Sequence, residues 1–132
     1  MSGQLQTITS NYKAFIRDED VSIGSFSQGF TQCMSVVRKG AVYSVAVRLN
    51  TNNAIVKVSI DGIDMFSADL KSLEKIKIGL GGGGSFYSSD DVFIFRPRFP
   101  IFFSQSITVS AKANNTSTGR KFTYGIIEYT EE

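Results

Sequence analysis

Three groups of carboxylates could in principle do acid–base work: Asp18-Glu19-Asp20, Asp61 with Asp64, and Asp90-Asp91. Glycoside hydrolysis, for instance, needs two such groups flanking one bond. Each group falls where its neighbours predict a turn, and Asp favours turns because it bonds its own backbone. The turn reading is therefore ahead at all three. Calcium held by oxygens alone is an option for the first and third groups, although neither has the spacing of a calcium-binding loop. The chain has no histidine, which removes the commonest general base and both Ser-His and Cys-His nucleophile pairs. Cys33 is the single cysteine, so no intrachain disulfide exists. Without histidine, an ordinary protein-only zinc site is excluded as well. Thr31, Gln32 and Met34 offer this thiol no activating partner, and it reads as a small buried hydrophobe. No cofactor, metal or catalytic residue is expected, and binding or assembly ranks above catalysis.

Two segments could carry recognition. The run Gly81-Gly82-Gly83-Gly84 lacks the Lys-Ser/Thr pair and following helix of a phosphate loop. It reads first as a flexible loop at one end of the domain, and second as a place where backbone packs closely on a neighbour. If a ligand is recognised, the expected surface is this loop with Phe86, Tyr87, Asp90 and Asp91. The other segment is Arg96-Pro97-Arg98-Phe99-Pro100-Ile101-Phe102-Phe103. Two prolines three apart cannot both lie mid-sheet, which makes it a corner or an edge. At least half of its four apolar side chains are expected to fold over the core. The others, drawn from Phe99, Phe102 and Phe103, would be exposed as an oligomer contact rimmed by Arg96 and Arg98. Asn114-Asn115-Thr116-Ser117 holds two overlapping sequons, read as a hydrophilic turn.

These segments need a frame. At 132 residues the chain has the length of one domain, 1–132, able to bury roughly two-thirds of its unfolded surface without staples. Hydrophobic residues at 42% and charged residues at 20% exclude a disordered chain. The longest apolar runs are too short to span a bilayer. No basic-apolar-small opening is visible, so the expectation is no secretory signal and a product that stays in the cytoplasm unless it leaves in a larger assembly. The net charge of +2 and scattered Lys and Arg predict no nucleic-acid partner. Eleven Phe and five Tyr without Trp, among many Val, Ile, Ser and Thr, favour strands.

Strict alternation marks the central strands. Tyr43, Val45, Val47 and Leu49 alternate with Ser44, Ala46 and Arg48, and Ala54, Val56, Val58 and Ile60 with Ile55, Lys57 and Ser59. With Asn50-Thr51-Asn52-Asn53 between them, the pair predicts an antiparallel hairpin. Asp61-Gly62 predicts a tight turn into a strand over 63–66. Further strands are expected over 12–16, 21–26, 34–37, 92–95, 106–113 and 121–129. The total is about eight or nine, arranged as a sandwich or barrel. A short helix is expected within 67–75, capped by Ser67 or Asp69, in a connection between sheets.

The passage around Asp61-Gly62 with its helical connection, the Arg98-Phe99-Pro100 corner leading to a Ser/Thr-rich strand and the Asn114–Ser117 turn, and the last strand near Tyr129 together resemble the small jelly-roll proteins of virions, particularly of bacteriophages. The likeness covers roughly residues 42–132 and is one of pattern and order. It implies an antiparallel β-sandwich of jelly-roll type acting as a capsid, decoration, spike or fibre-base subunit. It also implies a homo-oligomer, a trimer or higher ring, that contacts other virion proteins after assembly in the host cytoplasm. The alternative is a carbohydrate- or receptor-binding sandwich. No membrane insertion is expected under either.

Overall fold

The computed structural model describes residues 12–76, 83–87, 91–114 and 119–132. Among the described residues eleven strands and one helix are formed, in the order β1 (Tyr12–Arg17), β2 (Val21–Ser22), β3 (Thr31–Val36), β4 (Gly40–Leu49), β5 (Ala54–Ile60), β6 (Ile63–Asp69), α1 (Leu70–Ile76), β7 (Gly84–Tyr87), β8 (Val92–Phe95), β9 (Ile101–Phe103), β10 (Ile107–Ala113) and β11 (Lys121–Glu131). Sheet 1 runs β1-β11-β4-β8-β7, with β2 also on β11 and β9 also on β4. Sheet 2 runs β3-β10-β5-β6. Every ladder is antiparallel.

Eight long strands account for the topology. The pairs β1·β11, β3·β10, β4·β8 and β5·β6 nest inside one another along the chain. They alternate between the two sheets, as in a long antiparallel ribbon wound once around a core. This is a jelly roll. The other three strands are the short β2, β7 and β9. The all-β sandwich expected from the alternation is thus formed.

The core lies where the inner faces meet. Phe93, Phe95, Phe122, Leu49 and Ile127 from sheet 1 are fully buried, as are Met34, Val56 and Ile107 from sheet 2 and Leu70 from the helix. Ile107, Val109, Ala111 and Ala113 all point inward as the alternation requires. Asp69 caps α1 by accepting the Lys71 N–H at 3.0 Å. The helix starts later than expected because β6 continues to Asp69, and it leads from sheet 2 toward sheet 1. Among the described residues no helix is long and apolar enough to cross a membrane.

The central hairpin is not formed. β4 lies in sheet 1 and β5 in sheet 2, so residues 50–53 make an arch between sheets. The same alternation serves both outcomes, since each strand buries one face. What decides is where the polar turn finds its bonds. Asn50 donates its backbone N–H to Lys121 O at 3.0 Å, and its side chain accepts Lys121 N–H at 2.8 Å and donates to Gly119 O at 2.9 Å. Asn53 O, three residues on, accepts the Asn114 N–H of the other sheet at 3.0 Å. The strand expected over 21–26 shrinks to Val21–Ser22, because Ser25 O accepts the N–H groups of Gln28 and Gly29 in a turn that leaves Phe26 exposed.

The glycine run also departs from the flexible-loop reading in its described half. Gly83 has φ +100°, and Gly84 opens β7 with its Cα against the ring of Phe66. That ring lies 5.8 Å from Phe93 and 5.4 Å from Phe95. Gly81 and Gly82 lie outside the described residues. A Cβ at position 84 would enter the Phe66 ring, so Gly84→Ala is expected to cost about 1–3 kcal/mol as overpacking. Chemical denaturation checks this, and Phe66→Leu should recover part of the loss in the double variant.

Candidate functional site

The outward surface of sheet 1 is shaped by one extra residue and two prolines. Along β4, Ser44 pairs with Glu128 and Val42 with Tyr129, so Tyr43 is inserted as a β-bulge. The bulge reverses the alternation. Val42 turns inward and Tyr43 is left 40% exposed, where the two-residue period had placed Tyr43 on the buried face. On the other side of β4 the neighbouring strand is broken: β8 pairs with Val45–Arg48 and β9 with Gly40–Val42. Arg96–Pro100 leaves the sheet between them. Pro97 and Pro100 have no N–H to give a ladder, and the gap they leave stands opposite the bulge.

The result is a crevice of about 360 Å³ lined by Tyr43, Ser44, Arg96, Pro97, Arg98, Pro100 and Glu128. Glu128 is its polar centre. It accepts hydrogen bonds from the Tyr12 hydroxyl and, at 2.8 Å, from Ser44 Oγ. These bonds, with Arg96 nearby, hold its carboxyl below the usual range, while the Tyr12 phenol is pushed up by the same carboxylate. Beside the crevice is a second hollow of about 260 Å³, lined by Gly40, Ala41, Tyr43, Phe102, Thr130, Glu131 and Glu132.

The corner divides as its composition suggested. Phe103 is buried and meets Tyr129 edge-on at 6.3 Å, and Ile101 packs on the core. Phe99 and Phe102 stand 73% and 82% exposed, with Arg98 over the Phe99 ring at 5.9 Å. Arg96 and Arg98 are exposed at the rim. Phe103 is therefore an anchor and not part of a contact surface.

The glycine-loop residues do not converge. Phe86 is buried opposite Phe93, since β7 extends the sheet and alternation turns every second side chain inward. Tyr87 is exposed on the outer face opposite Val92. Asp91 takes a left-handed φ of 53° in the turn before β8. Asp90 lies outside the described residues. Phe86 cannot stack on a ligand without leaving the core.

The remaining carboxylates serve local structure. Asp61, in the β5–β6 turn at φ 53° with Gly62 at 80°, accepts the N–H groups of Ser104, Gln105 and Ser106 at 2.7–3.1 Å. These bonds, Ser104 foremost, lower its pKa. Asp64 takes Ser59 Oγ at 2.7 Å and lies 3.7 Å from Lys57 Nζ. Glu19 pairs with Arg17, and Asp20 lies 3.7 Å from Lys121. Cys33 is fully buried, and burial pushes its thiol up to about 12. Among the described residues no group of three or more metal-ligating side chains comes together. Sequence reasoning missed Tyr12, Ser44 and Glu128. The period along β11, carried through to β4, was the signal that could have found the last two.

No family model matches the chain, and no curated protein matches it. Among solved structures it is similar to the crystal structure of the infectious bursal disease virus VP2 subviral particle, with a TM-score of 0.45 and 14% identity. The match covers 92% of this chain and 33% of that one, so the chain spans about a third of the VP2 chain's length.

Asp61→Asn keeps a residue that tolerates the left-handed backbone but removes the charge that three N–H groups address. A depressed carboxylate contributes stability that is present above its unfolded value of about 3.9 and is lost as pH falls through the folded value. The melting midpoint of Asp61→Asn is expected below wild type at pH 7, with the gap closing toward pH 2. Paired thermal melts across that range check the direction and the convergence.

Proposed function

We propose that the protein is a non-enzymatic structural subunit of a virus particle, of bacteriophage type, that assembles with copies of itself through the Arg96–Phe103 corner. The observation that carries this reading is the pair of solvent-facing rings, Phe99 between the two prolines and Phe102 on the outer face of β9 beside buried Phe103. Large aromatic rings flanked by arginines, next to a rigid anchor, have the composition of a contact surface. A jelly roll is one of the folds that shells are built from, although a fold does not by itself assign a role. The hollow beside Phe102 holds Glu131 and Glu132, which pair with Arg38 and Lys39 of the same chain at 3.1 and 3.5 Å, and a second copy's Arg96 and Arg98 would compete for these exposed carboxylates. A head-to-tail contact forms a ring where the rotation between copies closes, and the reading here is a trimer or higher ring. In this reading the subunit is assembled in the host cytoplasm, resides in the virion and contacts other virion proteins, with no part inserted in a membrane.

A second reading has its own observation. Tyr43 lies in one crevice with Glu128, Arg96 and Arg98, an aromatic face with hydrogen-bonding groups of both signs, as a glycan or receptor sugar requires. The geometry moves this reading from the glycine loop to the crevice.

Light scattering on a size-exclusion column should give a defined oligomer of stable mass across a wide concentration range. Phe102→Lys and Phe99→Lys are each expected to reduce that mass with the fold intact by circular dichroism. A wild-type monomer at every concentration would remove the assembly reading. In that case a glycan array, run with and without calcium and against Tyr43→Ala, decides the second.

A further inference from the structure

The register of sheet 1 lays its outward side chains in rows that cross the strands. Ile16 on β1 stands opposite Ile126 on β11, Ile126 opposite Ala46 on β4, and Ala46 opposite Ile94 on β8. On one side of this apolar row lies the row Tyr124–Arg48–Val92–Tyr87. On the other lies Ala14–Glu128–Ser44. On this face Glu128 accepts from the Tyr12 and Ser44 hydroxyls, and the Tyr12 ring lies 6.5 Å from that of Tyr43. Ile16 and Tyr87 are each 54% exposed.

Sheet 2 is the internal control. Ile63 and Met65 are exposed on its edge strand β6, and Ile55 sits between Lys112 and Asp69, but two of its outward rows are polar throughout: Ser35–Thr108–Ser59, and Gln32–Ser110–Lys57–Ser67. That is the ordinary pattern of an antiparallel sheet with water on one side. Strand β8, Val-Phe-Ile-Phe, is apolar on both faces, the pattern of a strand covered on both.

We propose that the outer face of sheet 1 is a contact between two copies of this chain, packed sheet on sheet about a two-fold axis along the Ile16–Ile126–Ala46–Ile94 row. The charges choose a second copy as the occupant. A two-fold axis lying along the row, between the faces, keeps the row on itself and reverses the strand direction. It therefore brings the Arg48 end of each β4 over the Glu128–Ser44 end of the other. Glu128 is one strand away from β4, about 4.8 Å, within the reach of an arginine. A two-fold contact makes this pairing twice, and each charge-assisted bond fixes the orientation of an otherwise featureless apolar layer. Packed sheets sit about 10 Å apart, which leaves room for one layer of interleaved Ile and Tyr side chains.

This contact rests on the self-assembly reading and adds a surface to it. Phe102 stands opposite Ala41, five positions along β4 from Ala46 and roughly 16 Å from the axis. Across the two-fold, that end meets the arch at residues 50–53, beyond the partner strand. The Phe102 ring thus lies beyond the apolar row, while Arg96 and Arg98 border the crevice of Glu128 and stand at the edge of both contacts; two unlike contacts per subunit are what extends a dimer or ring into a shell.

The test uses the full chain and a charge exchange. Arg48→Glu places like charges together at both sites of the dimer, and so does Glu128→Arg. Each variant alone is expected to raise the concentration at which the two-fold contact dissociates by about a hundredfold. An equimolar mixture restores both pairs and should recover the wild-type mass. Ile126→Lys and Ile94→Lys should dissociate the contact without rescue, with circular dichroism and thermal melts reporting the fold. Making all measurements also in a Phe102→Lys background separates the two surfaces. A dimer that persists there and dissociates on Ile126→Lys supports the two-fold contact. A Phe102→Lys monomer, or a mixture that fails to recover mass while each variant is folded, overturns it and leaves the corner reading intact. A wild-type oligomer indifferent to Phe102→Lys but abolished by Ile126→Lys overturns the corner reading instead.

Discussion

Every N–H and C=O of a buried strand must find a partner, and in this molecule that demand converges on β4. It is ten residues long, bound to β11 along one side and to β8 and then β9 along the other. Two departures in its neighbourhood are coupled. Pro97 and Pro100 cannot donate to the ladder, so the chain between β8 and β9 leaves the sheet. Opposite the gap, Tyr43 bulges out of register with β11. Sheet 1 thereby gains a crevice with an aromatic ring at its mouth and Glu128 at its centre. The exposed ring of Phe99 comes from the same departure, because a chain forced out of the sheet at Arg96 and returned at Ile101 must present what lies between; Phe102 is exposed by the alternation of β9 after that return.

The bulge has a second consequence. Downstream of it, the alternation Val45, Val47, Leu49 faces the core and Ser44, Ala46, Arg48 faces out. Upstream, Val42 has taken the inner position. A strand with one uninterrupted phase would turn Tyr43 inward at the cost of Val42. The bulge instead lets both ends of a long strand bury apolar groups, at the expense of one unpaired residue. A matching irregularity occurs at Thr123, the extra residue between Phe122 and Tyr124 on β11, whose hydroxyl donates to Arg48 O at 3.1 Å. Bulges at both ends of the β4–β11 ladder bend it, and a bent ladder can wrap the core from one end of the roll to the other.

These features mark where sequence reading succeeds and fails. Period-two alternation identified β4, β5 and β10, since burial on one face writes itself into a single strand. It could not assign partners. The β4–β5 segment reads equally well as a hairpin or as an arch, and only the bonds from Asn50 to Lys121 and from Asn114 to Asn53, some 60 to 70 residues apart in the chain, separate the two. Bulges are invisible for the same reason, being defined by two strands at once. Asp61-Gly62 was legible because its backbone demand is local, yet the role of the Asp61 carboxylate as acceptor for residues 104–106 was not. At the corner, composition indicated that at least half of the apolar side chains are buried but not which, and choosing Phe103 as the anchor needed Tyr129 beside it.

The two faces of the sandwich carry the last step. A jelly roll whose sheets were both bathed in water would have outward rows like the two polar ones of sheet 2, where Ser, Thr, Gln and Lys cross the strands. Sheet 1 instead sets Ile against Ile and Ala against Ile. The core does not require this, since outward residues contribute little to it and a polar substitution there would leave the inner face unchanged. Nor does strand propensity, because Thr and Tyr would form these strands as well as Ile. An apolar row retained on an outer face adds the hazard of nonspecific association. It is consistent with a face that spends its working life against another surface, and the placement of Arg48 and Glu128 on opposite flanks of the row gives that surface a direction.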